Sequence, residues 1–181
     1  MSGGRPRFIV DSMLGDLARW LRILGYDTLY YRSISDPRLV KIALEDGRIV
    51  VTRDRGLAIL AKKKGVEHVL LRGESIPEML AELAVFTGIA LYADPARSRC
   101  PLCNAPLRPA QRFEVKDRVP PEVFARYDEF WVCTRCGQVY WRGSHWRKIE
   151  ETLEEARRLV DVIAERVRRG RLRRLAERVG G

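Results

Sequence analysis

Short apolar runs alternate with segments of helical periodicity over residues 7–88 of this chain. The runs at residues 8–10, 28–31, 49–52 and 66–71 have the length and β-branched or aromatic content of strands. Between and after them, apolar residues recur at a spacing of three and four, which is typical of helices that bury one face. This alternation predicts an α/β fold with a parallel sheet and crossover helices.

The pattern changes after residue 88, where a connector leads into a region that contains all four cysteines. A further amphipathic helix is predicted from residue 146 to about 169. The chain then ends in a basic tail, residues 166–181, with seven arginines and one glutamate. We therefore expect an α/β domain over 1–92, a small cysteine module over 93–146, and a C-terminal amphipathic helix with its tail over 147–181.

The charge balance changes what partners are expected. The 181 residues include 34 Lys+Arg against 24 Asp+Glu, a net charge of +10, and such an excess favours binding to polyanions such as RNA. A solubility or thermal-stability role is the alternative explanation for a chain with 32% charged residues. The N-terminal segment has no apolar run long enough for a signal peptide or a membrane span, so we expect a cytoplasmic protein that does not enter membranes.

The four cysteines form two pairs, Cys100 with Cys103 and Cys133 with Cys136. A two-residue spacer lets both thiolates of a pair reach one tetrahedral zinc ion, and two such pairs complete a closed structural site. Because 29 residues separate the pairs, more than the usual spacing, the zinc ribbon is expected to carry an insertion. Two disulfides or a redox pair are the alternatives, and a cytosolic location disfavours the disulfides.

Acidic residues follow two of the predicted strands. Asp11 comes directly after the first, and Asp54 lies two residues after the strand that ends at Thr52. Aspartate is a poor strand residue, and ligands of parallel sheets collect beyond the carboxyl ends of the strands. Asp36 is placed by the following Pro37 as the capping residue of a helix. A divalent cation bound by these acids is one interpretation, and helix capping by each of them is the other.

Several motifs resemble one known family. They are Met13-Leu14-Gly15, Leu17-Ala18-Arg19-Trp20-Leu21-Arg22, Leu24-Gly25-Tyr26-Asp27-Thr28, Thr52-Arg53-Asp54-Arg55, Glu114-Val115-Lys116-Asp117-Arg118-Val119-Pro120-Pro121, Tyr127-Asp128-Glu129-Phe130, and Tyr140-Trp141 with Gly143-Ser144-His145-Trp146. In combination they resemble the Mut-seven carboxy-terminal RNase domain family over about residues 7–147, and the acidic positions look like those of PIN-domain nucleases.

The resemblance implies a PIN-like three-layer fold with a parallel sheet, followed by a small zinc-ribbon module and a C-terminal helix. It also implies a metal-dependent RNase with Mg²⁺ or Mn²⁺ on three aspartates, Asp11, Asp36 and Asp54. PIN nucleases commonly have a fourth acid shortly after the third, but here that stretch reads Arg55-Gly56-Leu57. Asp16 is the candidate to replace it, and as a helix residue it is also explained as a solvated charge.

Four arginines lie near the acids in the sequence. Arg19 and Arg22 are three apart on the first helix, where with Asp16 they are expected to share its polar side, and Arg53 and Arg55 flank Asp54. They can bind RNA phosphates, or they can form ion pairs with the acids themselves.

Aromatic residues are interleaved with basic ones in the second half of the chain, a pattern that can hold single-stranded RNA. For Trp131 and Tyr140 we favour packing in the ribbon core, and for Trp141 and Trp146 both roles stay open.

The leading hypothesis is therefore a metal-dependent ribonuclease whose zinc ribbon and basic tail position RNA. The main alternative is a non-catalytic RNA-binding or ribosome-associated protein on a PIN-like scaffold. Dinucleotide and nucleoside triphosphate sites are disfavoured, because no G-x-G-x-x-G follows the first strand and the chain has no G-x-x-x-x-G-K-[ST].

Overall fold

The computed structural model describes the backbone of residues 4–179 and the side chains of residues 4–170. Strands and helices alternate through the first half as predicted. In chain order they are β1 (Phe8–Val10), α1 (Gly15–Ile23), β2 (Thr28–Tyr30), α2 (Asp36–Asp46), β3 (Ile49–Thr52), α3 (Arg55–Lys63), β4 (His68–Leu70) and α4 (Ile76–Thr87). A 3₁₀ turn, Ser12–Leu14, connects β1 to α1.

The beginning of α2 differs by one residue from the expectation. Ser35 occupies the N-cap position and Asp36 is already the first helical residue, so Pro37 is the second. A carboxylate in the first turn is stabilised there by the partial positive charge of the helix N-terminus. Asp36 therefore lies in the first turn of α2, where its charge is favourable, but it is not the N-cap residue.

The four strands form one parallel sheet in the order β2-β1-β3-β4. Its two faces are apolar, as a sheet covered on both sides requires. Phe8 and Val10 face a core shared with α1 and α4, whereas Ile9 and Val50 face a core shared with α2 and α3. The α/β class, the parallel sheet and the three-layer arrangement are thus confirmed.

The cysteine module contains a second, antiparallel sheet of β5 (Leu107–Ala110), β6 (Phe130–Cys133) and β7 (Val139–Tyr140). Two short helices, α5 (Arg112–Val115) and α6 (Pro121–Arg126), lie between β5 and β6. They form the insertion that the spacing of the cysteine pairs predicted. Val115 from the insertion and Phe130 from β6 share a small core of their own.

The last helix, α7 (His145–Val179), turns back onto the first domain. Leu153 and Ala156 are fully buried in the core that contains α4. In the described part of the chain, no helix is both long enough and apolar enough to cross a membrane. The division at residues 92 and 146 stays a prediction, and of the basic tail, 166–181, the side chains beyond residue 170 lie outside the described residues.

A buried polar network, which we call the Asp27 network, joins the cysteine module to the parallel sheet. The Asp27 carboxylate accepts hydrogen bonds from the Arg48 guanidinium at 2.9 Å and from the Asn104 amide at 2.8 Å. Asn104 in turn accepts the backbone N–H of Thr28, the first residue of β2, at 3.0 Å. Its amide oxygen thereby satisfies an edge-strand donor at the point where the module covers the sheet.

Candidate functional site

Two of the three predicted acids meet at the carboxyl edge of the sheet. β1 and β3 are neighbours with Val10 opposite Val51, and the backbone N–H of Asp11 donates to the Val51 carbonyl at 3.0 Å. The chain places β2 on one side of β1 and β3 on the other, so this edge is the topological switch point where α/β proteins bind ligands. We call the edge formed by Asp11, Asp36 and Asp54 the aspartate edge.

Thr52 connects two of these acids. Its hydroxyl donates to Asp11 Oδ2 at 2.7 Å and accepts the backbone N–H of Asp54 at 2.9 Å. Because Thr52 is fully buried, this link fixes one Asp11 oxygen and the start of the Asp54 loop together. The sequence analysis missed this role, although a hydroxyl residue at the end of an otherwise apolar strand was the available signal.

The capping explanation applies to one acid rather than to all three. Asp54 Oδ1 accepts the backbone N–H groups of Gly56 at 2.5 Å and Leu57 at 3.1 Å, and so caps α3. Asp11 precedes the 3₁₀ turn without a side-chain capping bond. Capping uses Oδ1 of Asp54, which leaves Oδ2 for another partner, so the cap and a metal-ligand role are compatible.

The Asp36 carboxyl is affected by the charges of the other two acids. Burial raises the pKa of Asp36 above its ordinary value, and the negative charges of Asp54 and Asp11 raise it further. Among the described residues, however, the three carboxylates do not form a group whose ligand atoms all lie within 4.8 Å of one another, as the cysteines do. Each can offer one oxygen to a hard cation such as Mg²⁺, which needs few protein ligands because it retains waters. The chemistry of the donors is thus that of a Mg²⁺ or Mn²⁺ site, although their oxygens are not brought together in the way that the cysteine sulfurs are.

Two of the predicted phosphate-binding arginines, Arg19 and Arg53, are exposed. Arg19 approaches Asp16 at 4.0 Å and Arg53 approaches Glu74 at 3.9 Å. Both ion pairs are at the surface, where such contacts are weak and readily exchanged. Arg19 and Arg53 are therefore accessible to a phosphate group.

Arg22 does not lie on the exposed polar side of α1, and that expectation is wrong. Its side chain is buried, with 6% relative exposure. The guanidinium donates to the Thr28 carbonyl at 3.0 Å and to the Pro101 carbonyl at 2.8 Å. The reason is that the first cysteine pair covers the end of α1, which a helical spacing rule cannot foresee.

The four cysteines converge in the way that their spacing predicted. All four sulfur atoms lie within 4.8 Å of one another, with Cys100 to Cys136 at 3.6 Å and Cys103 to Cys133 at 3.4 Å. A zinc–sulfur bond of about 2.3 Å implies tetrahedral edges of about 3.8 Å, whereas a disulfide needs about 2.05 Å. The geometry thus fits a four-thiolate zinc ribbon with no open coordination position.

The loops around the sulfur atoms have the matching backbone geometry. The residue that follows the second cysteine of each pair is left-handed, Asn104 with φ 68° and Gly137 with φ 75°. The backbone N–H groups of Arg135 and Cys136 point at Cys133 Sγ, both at 3.4 Å. Such N–H donors stabilise a thiolate, as the second sphere of a metal site does.

The thiol pKa values show that the cluster favours partial ionisation. Burial raises the pKa of Cys103, but hydrogen bonds from Ala105, from the neighbouring thiols and from Arg135 outweigh it and lower the pKa to about 6. For Cys136, a hydrogen bond from Gln138 lowers the pKa, but burial and bonds with the other cysteines raise it to about 12. A bound divalent cation would neutralise the repulsion among the four thiolates, so that all four could be deprotonated together.

Comparison with known proteins identifies a family. A family model described as Mut7-C RNAse domain matches residues 6–153, a span that includes the three aspartates and the four cysteines. No curated protein and no solved structure matches the chain. The resemblance inferred from the motifs is confirmed.

Proposed function

Because the chain belongs to the Mut7-C RNAse domain family, we propose that it is a metal-dependent ribonuclease that hydrolyses RNA phosphodiester bonds at the aspartate edge. The single observation that carries the proposal is the pairing of Asp11 with Asp54 through Thr52 at the switch point of the sheet. The net charge of +10 supports a polyanionic substrate.

Asp11, Asp36 and Asp54 would hold Mg²⁺ or Mn²⁺. When bound, such a cation supplies a water of lowered pKa and stabilises charge on the leaving oxygen. The raised pKa of Asp36 supports this assignment, because mutual repulsion among carboxylates is what a cation relieves. Asp54 is kept in place by its cap on α3, and Asp11 by the Thr52 hydroxyl, so neither carboxylate needs to reorganise on metal binding.

The arginines would bind the RNA backbone. Arg19 and Arg53 are exposed, Arg53 directly precedes Asp54, and a guanidinium can bind a phosphate in a bidentate manner. We leave Arg22 out of this role because its guanidinium is bound to backbone carbonyls. Neither histidine is available as an acid or base at this edge, because His68 begins β4 at the opposite end of the strands and His145 begins α7.

The four cysteines would hold a structural zinc ion. A closed set of four thiolates leaves no position for a catalytic water. The ribbon would then act by folding its own small module and by positioning RNA, not by chemistry at the metal.

The test compares Asp54→Asn with wild-type protein on single-stranded and structured RNA in Mn²⁺, Mg²⁺ or chelator. Asparagine keeps the size and capping ability but removes a negative charge, so cleavage should fall by more than about 100-fold, the upper range seen when only indirect metal contacts are lost. The fold, the zinc content and RNA binding should be retained. Asp161→Asn, an exposed carboxylate on α7, is the matched control and should cleave like wild type.

Equal cleavage by Asp54→Asn and wild type, or cleavage indifferent to chelator while zinc is retained, would contradict the mechanism. Absence of cleavage by wild type on several RNAs, with binding retained, would instead favour the non-catalytic RNA-binding alternative. A structural cap alone predicts a third pattern, in which Asp54→Asn has little effect and Asp54→Ala loses stability.

A further inference from the structure

A pocket of about 150 Å³ lies where the end of α1, the ribbon sheet and the start of α7 meet. We call it the aromatic pocket; its walls include Ile23, Pro101, Trp131, Trp141, Trp146 and Ile149. It is remote from the aspartate edge, since α1 begins near Asp11 and its nine residues extend about 14 Å toward the other end of the sheet. The proposed cleavage chemistry therefore gives these tryptophans no role.

The packing roles of the aromatic residues are now clear. Trp131 is buried, with 7% relative exposure, and Tyr140 packs against the cysteine cluster, as expected for a small ribbon core. Trp141 and Trp146 are half-buried, each with part of its ring in a core and part lining the pocket. Two half-buried indole rings therefore line one pocket, and an indole ring can stack on a flat aromatic ligand.

The size of the pocket limits what can enter. An apolar cavity of about 150 Å³ in another protein takes up benzene, so a six-membered ring fits this volume. A pyrimidine base contains one such ring, whereas a purine adds a fused five-membered ring. The volume therefore favours a pyrimidine.

One exposed cation lies beside the pocket. Among the described residues, no carboxylate belongs to its walls, and the Arg99 guanidinium, although Arg99 is a wall residue, is bound to Asn104 and approaches Asp27. The Arg142 guanidinium lies 5.2 Å from the Trp146 ring centroid, beside the same opening. A ligand that is both aromatic and anionic can use the indole rings and the Arg142 guanidinium together, whereas an apolar peptide or an acyl chain makes no use of Arg142.

We propose that the aromatic pocket binds one unstacked pyrimidine base of single-stranded RNA, with its phosphate beside Arg142. The choice of RNA as ligand rests on the proposed function, but the base site does not depend on cleavage. Stacking of a base on aromatic side chains is the general way in which proteins hold single strands. The pocket thus anchors the RNA at a distance from the bond that is cut.

The experiment measures binding without cleavage, on Asp54→Asn protein in the absence of added Mg²⁺ or Mn²⁺. Fluorescein-labelled oligouridylate is compared with an abasic oligonucleotide of the same length, which has the same phosphates and no bases. One stacked base is expected to give about 5- to 150-fold tighter binding of oligouridylate. A second comparison, with oligoadenylate, should show weaker binding than oligouridylate because a purine exceeds the pocket.

Two variants test the assignment to this pocket. Ile149→Phe fills it while keeping the wall apolar, and Trp146→Leu keeps an apolar side chain in the wall but removes a stacking surface. Both should lose the preference for oligouridylate over the abasic chain while their abasic binding stays the same. Ile59→Phe, the same change at an exposed position on α3, is the matched control and should keep the preference. Zinc content and thermal unfolding verify that each variant is folded.

Equal binding of oligouridylate and the abasic chain by the parent protein would overturn the proposal. So would a preference that survives in Ile149→Phe. If the preference is absent while wild-type protein still cleaves RNA, the base site is wrong and the ribonuclease proposal stands. If the preference is present and wild-type protein does not cleave RNA, the base site stands and the ribonuclease proposal is wrong.

Discussion

Replacing Asp27 with alanine should destabilise the protein more than any change at a surface ion pair. The Asp27 carboxylate accepts both amino groups of Arg48, at 2.9 and 3.3 Å, and the Asn104 amide at 2.8 Å. The Arg48 side chain is 7% exposed and the Asp27 side chain 26%. The variant therefore leaves a buried guanidinium without its main partner.

The magnitude follows from these exposures. Removing one partner of a buried ion pair costs about 3–5 kcal/mol. Arg48 keeps a hydrogen bond to Asp46 at 3.1 Å, and Asp27 is partly reached by solvent, so the lower end applies. We expect the free energy of unfolding to fall by about 3 kcal/mol, with the loss of the Asn104 contact loosening the first cysteine pair.

Urea denaturation of the zinc-loaded protein at neutral pH measures this loss. Glu45→Ala is the control, because Glu45 and Lys41 form an ion pair on α2 with side chains 61% and 72% exposed. Such a pair contributes about 0.5 kcal/mol or less. A loss below about 1 kcal/mol in Asp27→Ala, no larger than for a surface pair, would refute the reasoning.

The pH dependence of the free energy of unfolding gives a second test of the role of Asp27. Burial alone would raise the pKa of Asp27, but hydrogen bonds from Arg48 and Asn104 outweigh it and hold the pKa below its ordinary value. Such a group contributes its full stabilisation above its unfolded pKa of about 3.9 and loses it as pH falls through the lower folded value. The difference between wild type and Asp27→Ala should therefore be constant from neutral pH to about 5 and shrink below about 4.

Three further predictions concern other parts of the molecule. The purified protein should contain about one zinc ion per chain, measured by elemental analysis, and Cys100→Ser should lose it while the aspartate edge keeps its fold; four reactive thiols and no zinc in folded protein would contradict the site. Thr52→Val should lower the free energy of unfolding by about 1–3 kcal/mol, because it leaves a buried N–H and a carboxylate oxygen without a partner, and should slow RNA cleavage; unchanged stability and rate would remove the proposed link. Deletion of residues 166–181 removes seven arginines and one glutamate, a net charge of +6, so RNA affinity should fall and its salt dependence should flatten; an unchanged salt slope would show that the tail does not contact RNA.

The fold could be predicted because each of its strands is locally coded. Ile9 and Val50 face one core, and the residues on either side of them in the strand face the other core. A glycine follows each of the helices α1, α2 and α3 and ends it. Gly25 and Gly47 have φ of 85° and 62°, a conformation that favours glycine. These signals lie within a few residues of the structure they determine, so periodicity and turn chemistry are sufficient to find them.

The site could be predicted only in part because its contacts are not local. The convergence of the four cysteines could be predicted from their spacing, because each pair lies on one short turn and two such pairs complete one zinc site. The position of Asp11 beside Asp54 followed from the parallel pairing of two strands. The burial of Arg22 depends instead on Pro101, which lies 79 residues further along the chain. No pattern on α1 indicates which module will cover its end.

The internal use of arginine changes how the net charge should be interpreted. Four thiolates on one zinc ion carry a net charge of −2, and the Arg135 side chain donates to the carbonyl of Cys103 in that cluster. Arg22 is also near the cluster, where burial lowers its pKa and the charges of Cys100 and Cys103 oppose that change. In the proposed zinc-loaded protein these cations would balance the metal site, and Arg48 pairs with Asp27, so these side chains would add little to the proposed attraction of RNA. Arg19, Arg53 and Arg142 are exposed instead, so the proposed RNA contacts depend on surface arginines such as these and not on the net charge as a whole.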